Sequence, residues 1–136
     1  MRYRLLWLGL FFAAACAGQA TQQMTISWNE PITLSHKQEA VLPDNLGMIV
    51  FEELVKDHRC PIDAQCLTQG TATIAVTYTG ADKTAEKVEL SVGDNADLVH
   101  TFDGFNLELL DVKPLPKSGE SPVERNYSIV IRLISK

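Results

Sequence analysis

The chain has 136 residues, a formal net charge of -5, and 46% hydrophobic and 21% charged residues. This length fits a single domain. An acidic chain without a basic stripe is a poor partner for nucleic acid, which argues against that class of function.

The N-terminal residues predict a secretory signal peptide over residues 1–15. Arg2 and Arg4 form a basic n-region, and residues 5–12 (LLWLGLFF) form an apolar h-region. The apolar run is too short to span a bilayer, which needs about 20 residues. Residues 13–15 are alanines, the small residues that a signal peptidase requires. This segment is therefore predicted to lie outside the fold.

Cys16, directly after the alanines, resembles the cysteine of a bacterial lipobox, although Ala13 stands where that pattern usually has Leu. The resemblance implies that Cys16 becomes the lipidated first residue of the mature chain and carries palmitate. Ala17, in place of Asp, implies sorting to the outer membrane by resemblance to bacterial lipoproteins. The alternative is ordinary cleavage after Ala15, Ala17 or Ala20, which would give a soluble periplasmic or secreted protein.

The segment after the cysteine divides into a tether and a domain. Residues 16–23 are predicted to be a lipidated tether, since residues 17–23 (AGQATQQ) are small and polar. Residues 24–136 are predicted to form the β-sandwich domain. Without Arg2 and Arg4 this mature chain has 10 basic and 17 acidic residues, a net charge of about -7.

Apolar residues alternate with polar ones along most of the domain, a period of two that is typical of half-buried strands. The alternating segments are residues 24–28, 32–34 (after a break at Pro31), 71–79, 88–92, 98–102, 105–112 and 127–133. Turns are predicted at residues 79–82, 93–95 and 103–104, the last an Asp-Gly dipeptide typical of hairpins. The apolar phase slips near Leu109, which predicts a β-bulge there. Prolines between residues 114 and 122 predict a long loop.

Residues 48–57 (MIVFEELVKD) fit two interpretations. Phe51, Leu54 and Val55 have helical spacing, whereas the β-branched and aromatic residues at 49–51 favour a strand. The strand is preferred because strands are predicted on both sides.

About eight short strands predict an all-β fold, an antiparallel two-sheet sandwich, with an open β-barrel as the alternative. In either fold the aromatic residues Trp28, Phe51, Tyr78 and Tyr127 are expected in or beside the core, not on a ligand-binding surface.

The two remaining cysteines, Cys60 and Cys66, predict a disulfide that closes a short loop. Their spacing is not the C-x-x-C of redox or zinc motifs, and an exported chain meets an oxidising environment. Such a loop would contribute about 2 kcal/mol in the chain-entropy model. A metal site could add only histidines, of which His58 is the nearest.

Asp57, Arg59 and Pro61 surround the first cysteine of this loop and allow two interpretations. They form either a solvated turn, with Arg59 paired to a carboxylate, or a rigid recognition loop. A stiff, covalently closed loop loses little entropy on binding, as in protease inhibitors. Residues 57–66 are therefore a possible inhibitory loop.

The pattern Asp57-x-Arg59-Cys60-Pro61, Cys66, then Gly70-x-Ala72-x-Ile74 resembles one in uncharacterised small bacterial secreted proteins and lipoproteins. There it runs D-S-R-C-P, C, G-x-A-x-V, and His58 stands here in place of Ser. The resemblance implies a secreted β-rich domain and brings no activity.

Catalytic and metal-binding patterns are weak. His36, His58 and His100 lie on separate segments, and Glu52 and Glu53 are neighbours that a regular strand would point to opposite faces. No nucleophile elbow or zinc-protease motif occurs in the sequence. We therefore expect no enzyme activity, metal or cofactor.

The sequence thus predicts a non-catalytic, lipid-anchored protein of the cell envelope with a binding or structural role. Its expected contacts are the membrane, through the N-terminal lipid, and an unidentified protein or envelope partner. A protease inhibitor presenting residues 57–66 is the alternative.

Overall fold

The computed structural model of the protein describes residues 23–121 and 126–136. The predicted signal peptide, the lipidation site Cys16 and most of the tether lie outside the described residues. In the described part of the chain there are nine strands and one short 3-10 helix. They are β1 Met24–Thr25, β2 Pro31–Ser35, β3 Glu39–Val41, the 3-10 helix Pro43–Asn45, β4 Gly47–Asp57, β5 Thr71–Gly80, β6 Ala85–Gly93, β7 Val99–Thr101, β8 Phe105–Lys113 and β9 Ser128–Ser135.

The strands form two sheets, which confirms the predicted two-sheet arrangement; the sheets do not close into a barrel. The five-stranded sheet has the order β1-β3-β4-β5-β6, and the four-stranded sheet has the order β2-β9-β8-β7. Neighbouring strands are antiparallel, except that β1 runs parallel to β3. The connection from β6 to β7 crosses from one sheet to the other.

The core lies between the sheets and is built from the alternating apolar positions that the sequence predicts. Its largest fully buried side chains are Phe51, Phe105, Ile26, Leu34, Leu42, Ile49, Ile74, Leu90, Leu107, Leu109, Ile129 and Ile131. Of the four aromatic residues assigned to the core by sequence, Phe51 and Tyr127 are buried, and Trp28 and Tyr78 pack against the core half-buried. Burial of these apolar surfaces is the main force that holds the two sheets together.

Residues 48–57 form a strand, as preferred from the sequence, and two irregularities explain their helical spacing. The pairing of β4 with β5 shifts between Phe51 and Glu53 and again between Leu54 and Lys56. Each extra residue reverses the alternation, so Phe51 and Leu54 both face the core although three positions separate them.

The bulge predicted near Leu109 is confirmed, since the register of β8 on β9 shifts between Leu109 and Asp111. The hairpin predicted at residues 103–104 is also confirmed. It joins β7 to β8, and the amide of Phe102 donates to the carbonyl of Phe105 over 2.9 Å.

The N-terminal part of the domain differs from the prediction of one strand over residues 24–28. Met24 and Thr25 pair with β3, and the Ile26 amide still donates to the Val41 carbonyl, whereas Trp28 forms an isolated bridge to Leu133 in the other sheet. The segment therefore passes from one sheet to the other. Pro31 begins β2 and does not interrupt it, since β2 is an edge strand and an edge tolerates a missing amide. Strand β3 was not predicted because three residues carry too little alternation.

Candidate functional site

The stretch with two cysteines connects β4 to β5 at one end of the sandwich. Cys60 and Cys66 form the predicted disulfide, with their Cα atoms 5.9 Å apart. The loop has its own backbone bonds as well: the Cys60 amide donates to the Gln69 carbonyl over 2.8 Å, and the Ala64 amide to the Pro61 carbonyl over 3.1 Å. The connection is therefore closed both covalently and by hydrogen bonds.

Asp57 and Arg59 form a buried ion pair at the base of this loop. Arg59 Nε donates to Asp57 Oδ1 and Nη2 to Oδ2, both over 2.8 Å. The two side chains are only 7% and 1% exposed, for Arg59 and Asp57 respectively. The Tyr127 hydroxyl also donates to Asp57 Oδ2, over 3.4 Å. Two parallel hydrogen bonds between a planar guanidinium and a carboxylate fix the orientation of both side chains.

Arg59 also reaches the other sheet. Its Nη1 donates to the carbonyl of Val112, in β8, and its Nη2 donates to the carbonyl of Pro114 over 3.0 Å. The guanidinium therefore joins the end of β4, in the five-stranded sheet, to the end of β8, in the four-stranded sheet.

Two further bonds connect the same segments. The amide of Ile62 donates to the carbonyl of Pro116 over 3.0 Å, and the amide of Ser118 donates to Asp63 Oδ1 over 2.9 Å. The bond from Ser118 lowers the pKa of Asp63 below its ordinary value. We call the contacts of residues 57–63 with residues 112–118 the inter-sheet clamp.

The glycine after the loop is fixed by close packing. Gly70 has φ +73°, and a Cβ placed there would lie 2.0 Å from the carbonyl oxygen of His58. Ala72, two residues later, is fully buried. Glycine and alanine in the G-x-A part of the motif therefore follow from backbone conformation and space.

Of the three residues assigned to a recognition loop, Asp57 and Arg59 turn inward and serve the clamp, and Pro61 is half-buried. Residues 62–69, by contrast, are all exposed. Sequence reasoning centred on the charged residues and missed the aliphatic ones. The presence of Ile62 and Leu67 beside the cysteines of a loop could have indicated these exposed aliphatic residues.

Three exposed aliphatic side chains lie at this end of the domain. Ile62 is 58% exposed, Leu115 is 50% exposed, and Leu67 is 106% exposed. Ile62 and Leu115 line one shallow groove together with both cysteines of the disulfide, and Leu67 lines a second groove with Asp94 and Asn95. We call Ile62, Leu67 and Leu115 the apolar tip.

The three histidines lie in different surroundings and do not contact one common site. The ring of His36 packs edge-on against Phe51, with ring centroids 5.9 Å apart. His100 packs against Phe102 with ring centroids 4.6 Å apart, and its Nε2 lies 3.5 Å from Glu86 Oε1. Within the part of the chain that the structure describes, no group of three or more His, Cys, Asp or Glu side chains is arranged to hold a metal ion.

The adjacent carboxylates Glu52 and Glu53 are engaged by lysines, and the expectation that they point to opposite faces does not hold at the β4 bulge. A hydrogen bond from Lys37 lowers the pKa of Glu52, and a hydrogen bond from Lys87 lowers that of Glu53. Each carboxylate is also within the electrostatic influence of the other's lysine. A lowered pKa keeps both ionised at neutral pH, the opposite of what a general acid needs.

At the opposite end of the sandwich, the Tyr78 hydroxyl forms a hydrogen bond that holds two segments together. Burial, with the charges of Asp82, Asp103 and Glu86, raises the pKa of Tyr78. Its hydroxyl donates to the carbonyl of Leu46 over 2.8 Å, which ties the β3–β4 connection to β5.

In the described residues, no helix is long and apolar enough to cross a membrane. Comparison with known proteins identifies no relative: the chain matches no protein-family model, no curated protein and no solved structure.

Proposed function

We propose that this chain is a non-catalytic, lipid-anchored protein of the cell envelope, with a β-sandwich domain that has a binding or structural role. The anchor is Cys16, carrying palmitate in the outer membrane, and residues 17–23 link it to the domain. The N-terminal pattern supports export, and the Cys60–Cys66 disulfide supports an oxidising compartment. A thiol pair of this kind is kept reduced in the cytosol.

The proposed binding role rests on a difference between the charged and the aliphatic side chains of the disulfide loop. Its charged residues bond within the protein, through Asp57 and Arg59, while its aliphatic residues Ile62 and Leu67 are exposed. Apolar side chains grouped on a rigid surface favour contact with another molecule. The clamp fixes the loop before binding, so that little conformational entropy is lost on contact.

A protease inhibitor is the second candidate, and the covalent closure of the exposed loop is the observation that favours it. Arg59 is a poor contact residue for this purpose because its guanidinium is bonded to Asp57 and to two carbonyls. An inhibitory contact would instead use residues 62–67.

Metabolic labelling with palmitate tests the anchor directly. We expect the full chain to incorporate label and to fractionate with the outer membrane, and the Cys16→Ser variant to lose the label. The control is the Cys60→Ser, Cys66→Ser double variant, which keeps Cys16 and should be labelled like the wild type. Equal labelling of Cys16→Ser and wild type would refute lipidation at this cysteine.

A further inference from the structure

The apolar tip lies beside two lysines, Lys113 and Lys117, of an otherwise acidic domain. Lys113 and Lys117 lie within residues 113–119, which Asp111 and Glu120 flank, and the Asp63 carboxylate accepts from the Ser118 amide beside Lys117. Lys113 is 60% exposed and makes only a long contact of 3.9 Å with the partly exposed Asp111. Leu115 stands between the two lysines in sequence. Aliphatic side chains flanked by lysines suit an interface between hydrocarbon and anionic headgroups.

The direction of the chain brings the tether to the same end of the domain. Met24 pairs with Ala40 of β3, and Ala40 in turn pairs with Ile49 of β4. Since β1 runs antiparallel to β4 overall, the chain enters β1 from the side on which β4 ends at Asp57. This is the end that carries the disulfide loop.

The length of the tether is sufficient for the distance that it must cover. Residues 17–23 span at most about 25 Å when fully extended. Strand β4 covers less than this from Ile49 to Asp57, about 20 Å, because its two bulges pair that stretch with only the seven residues 72–78 of β5. A lipid on Cys16 would therefore hold this end of the domain within reach of the bilayer surface.

We propose that the apolar tip, with Lys113 and Lys117, is a docking surface for a bilayer that contains anionic phospholipids. Ile62, Leu67 and Leu115 enter the headgroup boundary, and the two lysines lie at the level of the phosphates. This inference rests on the proposed lipid anchor. It adds an orientation: the inter-sheet clamp faces the membrane, and the β7–β8 hairpin faces away from it.

The size of the surface favours a bilayer over a protein partner or a second copy. A stable protein interface buries about 800 Å² on each side, far more than three aliphatic side chains at a loop end supply. A tethered domain needs only a weak contact, since the anchor raises the local concentration of lipid around the loop.

Quenching of tryptophan fluorescence by brominated lipid tests this orientation. The lipidated full chain is reconstituted in vesicles of phosphatidylethanolamine and phosphatidylglycerol with bromine on the acyl chains. Ile62→Trp places a reporter in the apolar tip. Val99→Trp is the matched control: Val99 is also an exposed β-branched residue, at 48% against 58% for Ile62, and lies on β7 opposite Glu108. We expect extra quenching over wild type for Ile62→Trp and none for Val99→Trp.

The basic residues are tested in the same vesicles. Adding Lys113→Glu and Lys117→Glu to the Ile62→Trp chain should reduce its quenching, and replacing phosphatidylglycerol by phosphatidylcholine should have the same effect on the chain with its lysines intact. If either change leaves the quenching unaltered, the proposed contact with anionic phospholipid is contradicted.

The outcomes separate this inference from the proposed function. A chain that is labelled with palmitate and floats with the vesicles, but shows equal quenching for Ile62→Trp and Val99→Trp, keeps the anchor and overturns the docking surface. A wild-type chain that takes up no label overturns both.

Discussion

At the scale of single residues, the D-x-R-C-P motif is explained by bonds within the protein. Asp57 and Arg59 form a bidentate pair, and Arg59 also donates to the carbonyls of Val112 and Pro114, in and just after β8. A guanidinium suits this position because it offers five donors in a fixed plane, which an ammonium group cannot imitate. His58, between them, is exposed, and its amide bonds to the Thr71 carbonyl as any residue's amide could.

Truncating Arg59 should destabilise the domain strongly. Arg59→Ala breaks a buried ion pair and removes the donors to the carbonyls of Val112 and Pro114, so we expect a loss of about 3 kcal/mol or more in the free energy of unfolding. Urea unfolding followed by circular dichroism measures it.

The control for Arg59→Ala is Lys87→Ala, which removes an ion pair with Glu53 whose two side chains are both 55% exposed. Exposed pairs of this kind contribute far less than buried ones, because solvent screens their charges. Similar losses for the two variants would contradict the structural role of Arg59.

Gly70 and Gly119 form a matched pair for testing the turn before β5. Both have positive φ, at +73° and +79°, but a Cβ at Gly119 would meet no atom within 4 Å. Gly119→Ala should therefore cost only the conformational penalty, about 1–2 kcal/mol. Gly70→Ala should cost more, because the methyl group collides with the His58 carbonyl. Equal melting temperatures of the two variants would show that the loop yields without cost.

At the scale of the elements, the bulges in β4 decide which side chains face outward. By adding a residue between Phe51 and Glu53, the first bulge places Glu52 near Lys37 and lets Glu53 accept a hydrogen bond from Lys87 of β6, across the intervening strand β5. The outer face of the five-stranded sheet thereby carries two adjacent ion pairs.

These two pairs predict how stability changes in acid. The hydrogen bonds from Lys37 and Lys87 lower the pKa values of Glu52 and Glu53 from 4.5, so their contribution is present above that pH and is lost as the pH falls through the lowered values. The Lys37→Ala, Lys87→Ala double variant should therefore lose less stability than wild type between neutral pH and pH 3. The free energy of unfolding at both pH values measures this.

The comparison variant for the acid experiment is Lys56→Ala, an exposed lysine of β4 that forms no ion pair with the described residues. It should follow the wild-type dependence on pH. A double variant whose loss in acid equals that of the wild type would exclude the two pairs as its source.

At the scale of the whole molecule, the sandwich is held together by two different means. The apolar core joins the sheets along their length, and the inter-sheet clamp joins them at one end. Because the clamp uses the connection from β4 to β5 and the segment after β8, it ties together regions 55 residues apart in the sequence, as in the bond from Arg59 to Pro114. The end of the domain that carries the apolar tip is thus held by both a disulfide and hydrogen bonds between the sheets, which suits a surface that contacts another molecule.

The all-β class, most strands, the β8 bulge and the disulfide could be predicted from the amino-acid sequence. Each of these depends on local information: period-two alternation, a phase slip near Leu109, and a pair of cysteines in a chain with a secretory pattern. The sequence also predicted residues 48–57 as a strand, although the bulges of β4 gave them a helical spacing.

The contacts between these parts depend on residues far apart in the sequence and could not be predicted from it. The inward turn of Asp57 and Arg59 depends on carbonyls at Val112 and Pro114, and no local pattern places those groups beside residue 59. The passage of residues 24–28 between the sheets likewise depends on a partner, Leu133, more than 100 residues away. The exposure of the apolar tip also depends on this packing. The charged side chains Asp57 and Arg59 turn inward to form the inter-sheet clamp, and the aliphatic side chains of the loop face outward.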